Sequence, residues 1–257
     1  MPAAKVSEKA AAKGSGKNAG QAAGKKAEEG APKVFGDAAK LKRAAAAELL
    51  DLENMDDIED EQVRRLLSPD SKMDVKIERG LGDLKGNYCV LAIVEPEEYG
   101  EMRIGLLRRF VNAEKMPGVY VCVNKSYEKT KEELEKRGIK WEGIDFIDVV
   151  TRMSEGVMLR ERNVTYINSA AELTDLMLAI EKKMGAIQQN KKFLILDSVS
   201  TLLVYNSAEG VKKFTHSLIG KANQNRVKGV LIFVRSDEYS GILQTISQFC
   251  DKVVKIE

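Results

Sequence analysis

Asp197 and Ser198 are the residues whose setting most suggests chemistry. They close the run Phe193-Leu194-Ile195-Leu196 and precede Val199-Ser200-Thr201-Leu202-Leu203. An aspartate ending a buried apolar strand stands at the carboxyl edge of a sheet, where open α/β folds bind their ligands. With His216 the pair also carries the letters of a hydrolase triad, but no GxSxG elbow accompanies the serine. A position about 140° around a helix from Val211 turns His216 to solvent. Cys89, Cys122 and Cys250 lie far apart among apolar residues without a CxxC. That predicts buried thiols in a reducing compartment and argues against a disulfide scaffold or zinc site. Between Glu48 and Glu61 there are eight carboxylates and no base. Counted from Asp51, this stretch lacks the central glycine and the terminal glutamate of a calcium loop, so it reads as a solvated acidic face or a partner-docking helix.

The elements that must position Asp197 follow from hydrophobic patterning. Strands are expected at 89–94, 119–123, 145–150, 164–167, 193–197, 229–234 and 252–256, most of them continuously apolar, as buried parallel strands are. Between them, Ser126 opens a helix that stops at Gly138. Ser169 and Glu172 form a capping box ahead of Leu173, Leu176, Ile180 and Met184. Helix 208–223 carries Val211, Phe214 and Leu218 on one face. Tyr205 and Trp141 are expected to pack. This alternation predicts a parallel sheet with helices on both faces.

Upstream, KLKRAAAAELLDLENMDD and IEDEQVRRLL are rich in helix formers, which predicts one long or two short helices over 38–67. Ser68-Pro69-Asp70-Ser71 is expected to break that helix and open a linker. Met1 to about Gly36 is rich in Ala, Lys and Gly and has too few apolar residues to offset the entropy of ordering, so a disordered tail is predicted. Hence the expected organisation is tail 1–36, helical segment and linker 37–74, and an α/β domain 75–257.

Taken in order, these segments resemble the RecA-like ATPases, specifically the KaiC-like branch of archaea and bacteria, over roughly 75–257. Gly80-Leu81-Gly82-Asp83-Leu84 is similar to that family's lead-in, GVYVCV to its second strand, Asp197-Ser198 to its Walker B strand end, and DKVVKIE to its closing strand. The resemblance implies a RecA-like three-layer domain with a mostly parallel sheet, in which 229–234 lies between 89–94 and 193–197. ATP with Mg²⁺ is that family's cofactor pair, but no cofactor is expected for this chain.

Two departures bear on activity. After strand 89–94 the family requires GxxxxGK[ST], whose glycines let backbone N–H groups cradle phosphate. Here the chain reads Glu95-Pro96-Glu97-Glu98-Tyr99-Gly100-Glu101-Met102-Arg103. Four carboxylates would meet a polyanion, at about 4 kcal/mol per contact at ~4 Å before screening. Pro96 offers no N–H, and only Gly100 and Arg103 resemble remnants. After the second strand the family's paired glutamates are replaced by Asn124 and Lys125, neither of which serves as a carboxylate base. Of the phosphoryl-transfer parts, Asp197 alone remains.

The charge balance adds one feature. The chain has 41 Lys+Arg and 39 Asp+Glu over 257 residues. Residues 1–43 hold ten bases and four acids, so a tail of +6 offsets a body of −4. The spaced lysines of the tail would contact nucleic-acid phosphates weakly and without sequence preference. No apolar run approaches the roughly 20 residues that span a bilayer, and no secretory signal is evident; a cytoplasmic, non-membrane protein is expected.

The expected function is that of a RecA/KaiC-like pseudo-ATPase: not an enzyme, without catalytic residues or a resident metal, regulating or scaffolding a protein partner. That partner is an intact KaiC/RecA-like homologue or a second copy. Two alternatives are a nucleic-acid-associated paralogue using the tail, and a divergent ATP-binding protein that completes a hetero-oligomeric active site. In the latter Asp197 keeps Mg²⁺ and Arg103 replaces the lysine.

Overall fold

The computed structural model describes residues 69–154, 158 and 161–256. The tail 1–36 and the helices expected over 38–67 lie outside them. The chain runs α1 (Pro69–Leu81), β1 (Tyr88–Val94), α2 (Tyr99–Leu107) continuing as a π-helical turn (Arg108–Ala113), β2 (Gly118–Cys122), α3 (Tyr127–Lys136), β3 (Ile144–Asp148) and β4 (Val164–Tyr166). Then follow α4 (Leu173–Ala186), β5 (Lys192–Asp197), α5 (Val199–Tyr205), α6 (Ala208–Gln224), β6 (Val227–Val234), a 3₁₀ turn (Asp237–Tyr239), α7 (Ser240–Ser247) and β7 (Lys252–Ile256).

All seven expected strands form, and every pairing between them is parallel. Their order is β4-β3-β2-β5-β6-β1-β7. β6 therefore lies between β1 and β5, as the family resemblance implied, and the fold class is α/β with a seven-stranded parallel sheet. Successive residues of each strand face opposite layers. On β1, Cys89, Leu91 and Ile93 join the core under α4, α6 and α7. Tyr88, Val90, Ala92 and Val94 join the core under α1, α2 and α3. Each fully buried aliphatic or aromatic side chain contributes about 1.5–3 kcal/mol, and with both faces covered the sheet needs the near-continuous apolar runs seen in the sequence.

Local signals account for several helix ends. Ser126 accepts a hydrogen bond from Lys129 N–H and starts α3. Past the end of that helix, Gly138 adopts φ +63°, where a side chain would be strained. Gly118 has a different role: a Cβ there would sit 2.4 Å from the Phe193 ring. The ring uses that space to stack on Phe110, centroids 5.2 Å apart.

Three expectations change. From Pro69 on, the anticipated linker is instead α1, because proline at a first-turn position gives up an N–H that has no helical partner anyway. Met73, Ile77 and Leu81 then bury one face of that helix. The capping box does not form. Ser169 accepts from Ala171 N–H and closes a turn, and α4 starts at Leu173 without a side-chain cap. Tyr205, expected to pack, is 46% exposed, because α5 ends there. Trp141 is half-buried against the core under α3, and His216 is exposed with its ring against Phe249.

Candidate functional site

Strand register builds the site around Asp197. Cys122 on β2 pairs with Asp197 on β5, so Tyr120, two residues earlier, projects from the same sheet face. That face is covered by α2, whose first residue is Tyr99. Tyr99 Oη donates to Asp197 Oδ1 at 2.6 Å, and Tyr120 Oη donates to Asp197 Oδ2. Arg103, one turn after Tyr99, donates from Nη1 to Tyr120 Oη at 3.5 Å and pairs with Glu133 on α3. Lys125 also pairs with Glu133, from the loop after β2. The result is a chain of contacts from Lys125 through Glu133, Arg103 and Tyr120 to Asp197. Asp197 is 1% exposed and Arg103 fully buried.

The electrostatics follow from that burial. Burial pushes the Asp197 carboxyl above the usual carboxylate range, against the opposing pull of Tyr120, Tyr99, Arg103 and Lys125. Burial and the neighbouring carboxylate push both tyrosine hydroxyls far up, which keeps them protonated donors. Burial works to lower Arg103, but Tyr120, Asp197 and Tyr99 outweigh it and keep the guanidinium charged. Burial, then Arg103, lowers Lys125.

Beside Asp197 lies a hydroxyl cluster. Ser198 Oγ caps α5 by accepting from Thr201 N–H and lies 3.0 Å from both Ser200 Oγ and Thr201 Oγ1. Asn124 Nδ2 donates to Ser198 Oγ at 3.3 Å, and Thr201 Oγ1 donates to Asn124 Oδ1. Ser200 Oγ accepts from Val234 N–H, tying α5 to β6. The Asp197–Ser198 peptide bond is cis.

Residues 98–256 match the model of a family of unknown function (DUF7504). The chain belongs to this family. The matched region opens at Glu98, so within this DUF7504 protein it contains Tyr99, Arg103, Tyr120, Glu133 and Asp197 and leaves out Glu95 and Pro96. Among solved structures, a KaiC-like protein of the hyperthermophilic archaeon Pyrococcus horikoshii OT3 is similar at 15% identity and TM-score 0.47, over 65% of this chain and 70% of that one. A second Pyrococcus horikoshii OT3 protein is similar at 14% identity and TM-score 0.48, over 72% of this chain and 87% of that one. No curated protein matches the chain.

Of the residues singled out in sequence, Arg103, Asn124, Lys125, Asp197 and Ser198 meet at this site of the DUF7504 chain. Glu95 and Gly100 do not. Glu95 pairs outward with Arg235 at 2.8 Å, and Gly100 lies within α2 with open space where a Cβ would be. Pro96 is exposed in a turn closed by Glu98 and Tyr99 N–H groups donating to Glu95 C=O. The four carboxylates expected to confront a ligand are mostly engaged elsewhere: Glu98 pairs with Lys76, and Glu101 with Arg137. Tyr99, Tyr120 and Glu133 were missed. A tyrosine inside the otherwise aliphatic GVYVCV, and another four residues before Arg103, were the available signals.

A cavity at the ends of β1 and β7, lined by Ile93, Glu95, Arg235, Leu243, Lys255 and Ile256, is about 130 Å³. Pockets that seat small molecules run to about 300–1,000 Å³. Among the described residues no three His, Cys, Asp or Glu side chains gather where they could hold a metal, and no helix is long and apolar enough to cross a membrane.

Proposed function

We propose that this DUF7504 chain is a RecA/KaiC-like domain without ATP hydrolysis that works as a regulatory or scaffolding protein through a protein partner. The observation that carries the reading is the occupation of both Asp197 oxygens by Tyr99 and Tyr120 hydroxyls. A magnesium ion would need a carboxylate oxygen open to it, with further oxygen ligands and bound water. Here the carboxylate that ends β5 is buried and already hydrogen-bonded twice. The turn after β1 supplies Pro96 and outward-paired glutamates in place of converging N–H donors. Mg²⁺–ATP therefore does not fit the residues present, and no chemical step is assigned to it.

The same geometry weighs against Arg103 as a stand-in for a phosphate-binding lysine. Its guanidinium is spent on Glu133 and Tyr120, and turning it toward a phosphate would break both contacts. The test is isothermal titration of the full chain with ATP and MgCl₂, alongside a phosphate-release assay. No heat at millimolar nucleotide and no turnover are expected. Micromolar binding with measurable turnover removes the proposal. ATPase stimulation on mixing with an intact KaiC-like homologue would favour the hetero-oligomeric reading instead.

A further inference from the structure

The α1 helix is divided by charge. Asp74 and Glu78 lie on the flank facing α2, where they pair with Arg108 and Arg109. Lys72, Lys76 and Arg79, spaced i, i+4 and i+7, share the opposite flank. That flank borders β7, which pairs with β1 and has no second neighbour in the sheet among the described residues. A cleft of about 310 Å³ runs between them, lined by Lys76, Arg79, Lys252, Lys255 and Val253 among others. Lys76 and Lys252 spend charge on Glu98 and Asp83. Arg79 and Lys255 are exposed and enter no ion pair among the described residues. Asp251 N–H donates to Cys89 C=O, so by strand alternation the N–H and C=O groups of Lys252, Val254 and Ile256 face away from β1. Unpaired edges of this kind are normally covered or made charged.

We propose that this basic edge is the docking surface for the chain's own acidic segment, residues 48–61. Two observations select that occupant. The segment carries eight carboxylates and no base, the complement of a surface with four cations and two of them unspent. It also enters at the right place. Only residues 62–68 separate it from Pro69, the first residue of α1. A helix doubling back at Ser68-Pro69 and running antiparallel to α1 would put residue 58 opposite Arg79 and residue 61 opposite Lys76, since both rise about 1.5 Å per residue from the turn. Asp56, Asp57, Asp60 and Glu61, which share one face of such a helix, then lie along the Lys76–Arg79 flank and the β7 edge. The segment both neutralises the cleft and shields the open strand from pairing with another chain.

Carbodiimide crosslinking of the full-length protein, which joins lysine amines to carboxylates at contact distance, tests this directly. An equal mixture of ¹⁴N and ¹⁵N protein is crosslinked, digested and read by mass spectrometry. The expected products join carboxylates of 48–61 to Lys72, Lys76, Lys252 or Lys255 with both halves carrying the same isotope. Their yield should fall about fivefold in the R79E/K255E variant, whose changes lie at exposed positions, and in D56N/D57N/D60N, and should fall again in 1 M NaCl. Products of mixed isotope would assign the surface to a second copy and overturn the proposal. So would an absence of these crosslinks, or a yield indifferent to both sets of substitutions.

Discussion

Replacing Tyr120 by Phe removes a single hydroxyl while keeping the ring that packs edge-on against Phe146, centroids 6.1 Å apart. Two partners lose by it. Asp197 Oδ2 loses its donor, and Arg103 Nη1 loses the acceptor at 3.5 Å. Neither atom can turn to water, because Asp197 is 1% exposed and Arg103 fully buried. A hydrogen bond to a charged group contributes about 1.5–3 kcal/mol, and the partner left unsatisfied carries most of that loss. Y120F should therefore cost about 2 kcal/mol, a fall in Tm of roughly 4–8 °C for a domain of this size. Tyr99 lies at the half-buried rim, where water can replace its hydroxyl, so Y99F should cost about 1 kcal/mol. Because both act on one carboxylate, Y99F/Y120F should depart from additivity by more than about 0.5 kcal/mol. Urea denaturation of the four proteins at pH 7.5, with unchanged m-values, measures each term. If Y120F lay within about 0.3 kcal/mol of the parent, or the two changes simply added, the hydroxyls would not be the groups that hold Asp197.

Other outcomes follow from the same geometry. Burial raises the folded-state pKa of Asp197, so its contribution to stability is full below the unfolded-state pKa and is lost as pH rises through the folded one. D197N has no such titration, so the stability of the parent relative to D197N should decline from pH 4 upward, as read by paired urea melts across pH. At Gly118 an added methyl meets the Phe193 ring at 2.4 Å; G118A should cost about 1–3 kcal/mol, and F193L should recover part of that loss in thermal melts.

The central strands β1, β2, β5 and β6 were legible because both sheet faces are buried there, which makes each a nearly continuous apolar run. The helix at Pro69–Leu81 was not, because Ser-Pro-Asp-Ser spells a break and a helix start equally well. What decides is the burial of Met73, Ile77 and Leu81, a tertiary fact. At the site, Asp197, Arg103, Asn124 and Lys125 stood out by residue type, whereas Tyr99 and Tyr120 did not. A tyrosine in an apolar setting looks like packing until the register shows its hydroxyl aimed at a carboxylate. Glu133 was equally silent, one acid among several on an exposed helix. Its position opposite Arg103 exists only once α3 packs beside α2.

The strand order has a consequence for how the protein is made. Among the described strands β1 is synthesised first, yet both of its neighbours, β6 and β7, come from residues 227–256. At ribosomal rates of about 5–20 residues per second, β1 waits on the order of ten seconds before its first partner emerges. β2, β3, β4 and β5 are meanwhile free to pair among themselves. Nascent chains stopped short of Val227 would hold a four-stranded half-sheet beside an orphaned apolar strand, a form suited to capture by chaperones. Completion of the sheet thus waits on the synthesis of residues 227–256.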